Sequence, residues 1–165
     1  MRFRRVQTGY SSDGRSTIIS DESLSEAPLP GFGGIIRMWG ADLPHEYPSD
    51  AGRSAPEAIF PATGGSRFVV FSLSPGDAAR HDEPTDAAPG LDAIMAESGG
   101  DGWHRTNTTD LGMVLEGEVV LQLEDGEVVL HSGDCIVQHG TRHRWLNRSN
   151  RAAIMVFFTV GATRT

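Results

Sequence analysis

The residues with the clearest capacity for chemistry lie in two short stretches late in the chain. Gly102-Trp-His104-Arg-Thr106-Asn-Thr-Thr-Asp110 precedes the apolar run Met113-Val-Leu, and Gly140-Thr-Arg-His143-Arg-Trp145-Leu-Asn147 precedes the last strand-like run. Side chains alternate along an extended chain, so His104, Thr106 and Asp110 share one face, and His143, Trp145 and Asn147 share another. Two imidazoles and a carboxylate converging from neighbouring strands would form a facial set with open coordination positions. Such a set suits Fe(II), with Mn or Zn in competition. The same residues admit a plainer reading, in which a strand histidine is a hydrogen-bonded structural residue and an aspartate near a turn is a cap.

Other chemistries have little to work with. All 14 basic residues are arginine, so no lysine amine is available for a Schiff base. Cys135 is the only cysteine, which excludes an intramolecular disulfide and a multi-thiolate zinc site. It lies on an apolar strand and reads as a small buried core residue. Neither a Gly-x-Ser-x-Gly elbow nor a His-Glu-x-x-His helix occurs, and Gly31-Phe-Gly-Gly34 lacks the Lys-Ser and following helix of a phosphate loop. His45 and His131 sit at turn positions, His81-Asp82 lies in a polar loop, and His139 reads as a rim residue.

The elements that must hold these side chains are strands. Short β-like runs are expected at Phe3–Thr8, Ser16–Ser20, Gly34–Trp39 and Arg67–Leu73, with a weak helical turn at Leu91–Ala96. From there strands follow closely: Met113–Glu116, Glu118–Leu123, Glu127–His131, Asp134–Gln138, Arg142–Asn147 and Ala152–Val160. Asp125-Gly126 suits a tight hairpin, and Gly117, Gly133 and Gly140 punctuate the other joints. Regular short strands without intervening helices indicate an all-β sandwich or barrel. The 165 residues fit one domain in three zones: N-terminal strands (1–40), long loops with one strand that could form a lid (41–102), and a core with both motifs (103–165).

His104-x-Thr106-x-x-x-Asp110, followed by Gly117, resembles the first motif of the cupin superfamily, His-x-His then Glu then Gly. Gly133-Asp134 through Gln138-His139-Gly140, His143 and Asn147 resembles the second, Gly-Asp leading to Pro-x-Gly, His and Asn. The chain is thus similar to a small single-domain cupin, implying a jelly-roll-type β-barrel with additional N-terminal strands. Carried over position by position, the resemblance implies His104, Asp110 and His143 as ligands of one divalent metal ion, Fe, Mn or Zn. Asp110 replaces the family's Glu, Thr106 stands where its second His would be, and Gln138 or His139 occupies the usual Pro position.

Gln138 is then a weak further ligand or a donor that orients an imidazole, and it joins Asp110 as a candidate catalytic residue. Thr106, Met113, Trp145 and Asn147 are the expected substrate-pocket residues. Arg105 and Arg142 flank ligand positions but should point away from the cavity. The implied function is a metal-dependent enzyme acting on a small, partly apolar or aromatic oxygenated molecule. The reaction is a Lewis-acid isomerisation, dehydration or decarboxylation, or an Fe(II) dioxygenation. The alternative is a non-catalytic binder with a degenerate metal site.

The formal net charge of −8 disfavours nucleic acid, and no apolar run reaches the ~18 residues of a membrane span. The basic start leads into no long apolar stretch, so no signal peptide is expected and the location reads as cytoplasmic. In proteins of the resembled kind, N-terminal strands pair across a dimer, so the expected assembly is a homodimer.

Overall fold

The computed structural model describes residues 1–29, 32–43, 55–76 and 101–165, and the expected turn at 91–96, His45 and His81-Asp82 lie outside them. The chain is built as β1 (Arg2–Tyr10), β2 (Ser16–Ser25), β3 (Ala27–Leu29), β4 (Gly33–Ala41), β5 (Ser66–Leu73), β6 (Thr108–Glu116), β7 (Glu118–Leu123), β8 (Gly126–His131), β9 (Cys135–Gln138), β10 (His143–Leu146) and β11 (Ala153–Gly161). Six strands form one sheet in the order β3-β4-β5-β11-β6-β9, and three form a second, β10-β7-β8. A separate ribbon pairs β1 with β2. The described residues form an all-β fold of two sheets and one ribbon. Among the described residues no helix is long and apolar enough to cross a membrane.

Period-2 alternation decides which side chains enter the barrel. On β11, Ala153, Met155, Phe157 and Thr159 are buried, whereas Phe158 and Val160 face out. On β6 the inward set is Thr108, Asp110, Gly112 and Val114. Val69 and Leu73 on β5, Val119 and Leu121 on β7, Leu130 on β8 and Trp145 on β10 complete the main apolar cluster. Each such burial stabilises the barrel by about 1.5–3 kcal/mol. A smaller cluster of Ile36, Met38 and Val70 lies on the other face of the large sheet, beneath Met1, Phe3 and Leu24.

Three local expectations are corrected. The β7–β8 hairpin forms, but Leu123 pairs with Gly126, so the loop is Glu124-Asp125 rather than Asp125-Gly126. β3 is not among the expected strands, and it forms because Pro28 can sit on an edge strand, where its missing N–H costs nothing. Cys135 is exposed, since Gln138 and Ile136 take the inward phase of β9 and leave Cys135 and Val137 outside.

Candidate functional site

The site is assembled from cross-strand pairs. His104 precedes β6 and belongs to no long strand, but it bridges His143 through two backbone hydrogen bonds, His104 N to His143 O and His143 N to His104 O, each 2.8 Å. Directly opposed residues of an antiparallel pair put their side chains on the same face. The two imidazoles accordingly lie with ring centroids 4.2 Å apart. Asp110 on β6 opposes Gln138 on β9, and on its other side opposes Thr159 on β11. A row Thr159–Asp110–Gln138 therefore crosses the large sheet and faces inward, towards the histidine pair.

All five side chains, with Thr106, line one cavity of about 70 Å³. Apart from Ser72 its remaining walls are apolar and include Leu29, Phe32, Ile59, Phe60, Phe71 and Phe157. A dry cavity of about 150 Å³ is known to accept benzene. A ring of that size would therefore enter this one only with outward movement of its walls.

Hydrogen bonds set the orientation of each imidazole. His104 Nδ1 donates to Gly102 O at 2.9 Å and His143 Nδ1 to Thr141 O at 2.8 Å, which puts the lone pair of each neutral ring on Nε2. The Gln138 amide nitrogen stands 2.9 Å from His143 Nε2 and 3.0 Å from Nδ1, and donates to the unprotonated Nε2. Burial, and second the nearby His104, push the His143 pKa down to about 3, so it is neutral over the physiological range. Burial raises the Asp110 carboxyl above its usual value, partly offset by the Thr108 hydroxyl. That hydroxyl also lies 2.7 Å from Thr106 Oγ1, and its single proton serves one of the two at a time.

Three buried polar atoms in this cavity have no partner among the described residues: Asp110 Oδ1, Gln138 Oε1 and Thr159 Oγ1. Unpaired buried polar atoms are costly, and their concentration on one wall marks the place where a ligand's polar atoms would be bound. In kind, the donors fit a divalent cation: two imidazole nitrogens already fixed by carbonyl partners, and carboxylate and carboxamide oxygens waiting for one. In arrangement, the histidine pair is preformed and the carboxylate is not yet part of it. Among the described residues no three His, Cys, Asp or Glu side chains form a group that could hold a metal.

Trp145 and Thr106 stand at the cavity as expected, and Arg105, Arg142 and His139 point outward. Two expected pocket residues do not. Met113 is on the outer phase of β6 and 39% exposed. Asn147 is fully buried but serves as a corner bracket, with Nδ2 donating to Leu73 O and Arg151 O. Thr159 was missed, although a threonine on the inward phase of an otherwise apolar strand was visible in the sequence. Ile59 and Phe60 carried no such signal, because the segment that holds them has no strand period.

A family model described as a cupin domain matches residues 92–159. Among curated proteins, the chain is 44% identical over 79 residues to phomopsin biosynthesis cluster protein C' of Diaporthe leptostromiformis, a match covering 47% of this chain and 38% of the relative. It is 34% identical over 76 residues to the cupin-domain-containing oxidoreductase srdB of Neurospora crassa, covering 46% of this chain and 35% of the relative. The matches thus span well under half of either relative. A solved cupin 2 conserved barrel domain protein from Salinispora arenicola aligns with a TM-score of 0.47 at 12% identity, over 84% of this chain and 82% of that one.

Proposed function

We propose that this chain, which carries a cupin domain and belongs to the cupin superfamily, is an enzyme that binds a small, largely apolar, oxygen-bearing molecule inside its barrel and moves a proton on it. The observation that carries this reading is the single polar wall of His104, His143, Asp110 and Gln138 in an otherwise apolar cavity. Small-ligand sites have this composition: apolar walls for affinity and a few convergent polar groups for orientation.

Asp110 is the group that would exchange the proton. In the metal-free site burial raises its pKa, the direction an acid–base catalyst requires, whereas a bound cation would hold it ionised, able only to accept a proton. Gln138 would orient the ligand through its carbonyl oxygen, and in the metal-free site its amide holds the His143 ring. The aromatic walls would exclude bulk water. A divalent metal, when bound, supplies Lewis-acid polarisation of a substrate oxygen, or O₂ activation if it is iron. His104 would hold it through Nε2, and His143 likewise once the Gln138 amide turns away from that lone pair, with Asp110 as the oxygen donor. Relatives named as an oxidoreductase and as biosynthesis-cluster proteins support an enzymatic reading of this scaffold.

A second reading, a binding protein without metal or catalysis, is favoured by Thr106 in the second-histidine position and by the lack of a preformed three-donor group among the described residues. Elemental analysis of protein purified without chelator separates the two. Near-stoichiometric iron, manganese or zinc, lost in His104→Ala and His143→Ala proteins that keep their β-sheet spectrum, is the expected result. Metal-free wild type that takes up none on reconstitution would replace the first reading with the second.

A further inference from the structure

The polar wall is divided between the two sheets. Asp110, Gln138 and Thr159 stand on the large sheet, whereas His104 and His143 pair through their backbones where the chain meets the small one. Two segments cross from sheet to sheet between these groups. Residues 105–107 lead from His104 to β6, and residues 139–142 lead from β9 to β10. The crossings are pinned together at their ends, by the His104–His143 bridge and by the Asp110–Gln138 pair of the ladder. Between those ends neither crossing belongs to a strand, so strand pairing does not fix the span that separates the imidazoles from the carboxylate.

Arg164 closes that span from outside. After β11 the chain runs on beside the first crossing, with Ala162 N donating to Asn107 O at 2.8 Å. The Arg164 side chain then reaches from this crossing to the other. Its Nε donates to Asn107 Oδ1 at 2.9 Å, and its Nη2 donates both to Thr106 O at 3.1 Å and to Gly140 O at 2.8 Å. Two carbonyl oxygens that share one nitrogen repel each other, and a cationic donor between them turns the repulsion into a tie. A guanidinium suits this task because its five donors lie in one rigid plane. Arg164 itself is exposed and belongs to neither apolar cluster, so its loss leaves the packing of the barrel intact.

We propose that Arg164 is a positioning residue for the cavity: it does not line the cavity, and by tying the two crossings it sets the separation between the histidine pair and the Asp110–Gln138 row. The inference rests on the reading of that row and that pair as one ligand site. The separation is reported by the contact from Gln138 Nε2 to His143 Nε2, 2.9 Å long, because it joins the two sheets across the cavity. Without Arg164 the two carbonyls turn to water, the crossings part and this contact loosens. An ion held by imidazoles from one side and a carboxylate from the other then meets its donors at the wrong spacing. Freeing His143 Nε2 from Gln138 works the other way, but one neutral hydrogen bond weighs less than a misplaced ligand.

The test uses the full chain, stripped of metal by chelator, and proton–nitrogen spectra of the Gln138 side-chain amide and the His143 ring. In Arg164→Met, at unchanged circular dichroism, the Gln138 amide protons should exchange with solvent roughly tenfold faster. His143 Nε2 should move towards the position of an imidazole without that donor. Arg164→Lys should behave like Arg164→Met, since one ammonium does not reproduce the planar fork. Ile36→Val, on the other face of the large sheet, lowers stability without touching the crossings and should leave both signals in place. Zn(II) affinity, measured by competition with a chromophoric chelator, should fall about tenfold in Arg164→Met and stay at the wild-type value in Ile36→Val. Unmoved Gln138 and His143 signals in Arg164→Met, or equal changes in Ile36→Val, would overturn the proposal. So would wild-type signals in Arg164→Lys, or wild-type Zn(II) affinity in Arg164→Met. A wild type that binds no Zn(II) would instead end the metal reading of the site, and the metal-free spectra would still decide the role of Arg164.

Discussion

Burial moves His143 and Asp110 in opposite directions along the pH axis, because it penalises the charged form of each. His143 falls from 6.5 to about 3. Between those values the unfolded chain binds the extra proton, so its contribution to stability is complete above about 6.5 and is lost as the pH falls towards 3. The slope is at most about 1.4 kcal/mol per pH unit. Asp110, raised above 3.8, binds more protons when folded and works against that slope. Chelator-stripped protein should therefore melt at progressively lower temperature as the pH drops through this window. His143→Gln should flatten the decline and Asp110→Asn should steepen it. Thr159→Val removes a buried hydroxyl that has no partner among the described residues, so it should leave stability unchanged or raise it by about 1 kcal/mol. A loss of more than that in a urea melt would show a partner the structure does not. At this scale much of the site was legible, because His104, Asp110 and His143 stand in patterned stretches. The direct pairing of His104 with His143 was not. It depends on the register between positions 39 apart, which no local period encodes.

Two elements position the cavity walls. The Gly140 turn joins β9 to β10 and so fixes Gln138 relative to His143. Its φ of 59° favours glycine, and a Cβ there would lie 2.5 Å from Thr106 O. Gly140→Ala should cost about 1–3 kcal/mol and displace the polar wall, visible as a weakened Gln138–His143 contact in NMR spectra. On the opposite side Arg67, 1% exposed, ties β5 to the segment that supplies Ile59 and Phe60. Its guanidinium donates to Ala58 O, Ala41 O and Ser66 O and pairs with Asp42. Arg67→Met leaves those carbonyls unpaired and should cost about 3 kcal/mol in denaturant unfolding. The bounds of β7 could be read to the residue from Gly117 and the Asp125-Gly126 turn signal on either side of it, whereas the Arg67 strap could not, since an arginine in a strand normally reads as a solvent-facing residue.

At the scale of the molecule, alternation predicted that strands would have two faces, and the all-β barrel followed. It could not say which face was inside. Met113 and Cys135 were assigned inward on their apolar neighbours, yet both lie on an outer face that is itself apolar. A sheet that is hydrophobic on both faces is the pattern expected when the outer face is also covered, here in part by the β1–β2 ribbon. The polar wall interrupts the inner apolar face, and the functional reading rests on it. Long-range proton–nitrogen spectra of the imidazoles in stripped protein, recorded during a Zn(II) titration, test that wall most directly. Two imidazoles protonated at Nδ1, with both Nε2 signals moving together to a one-to-one endpoint, is the result predicted for His104 and His143. Unmoved Nε2 signals in a protein that stays folded would contradict it.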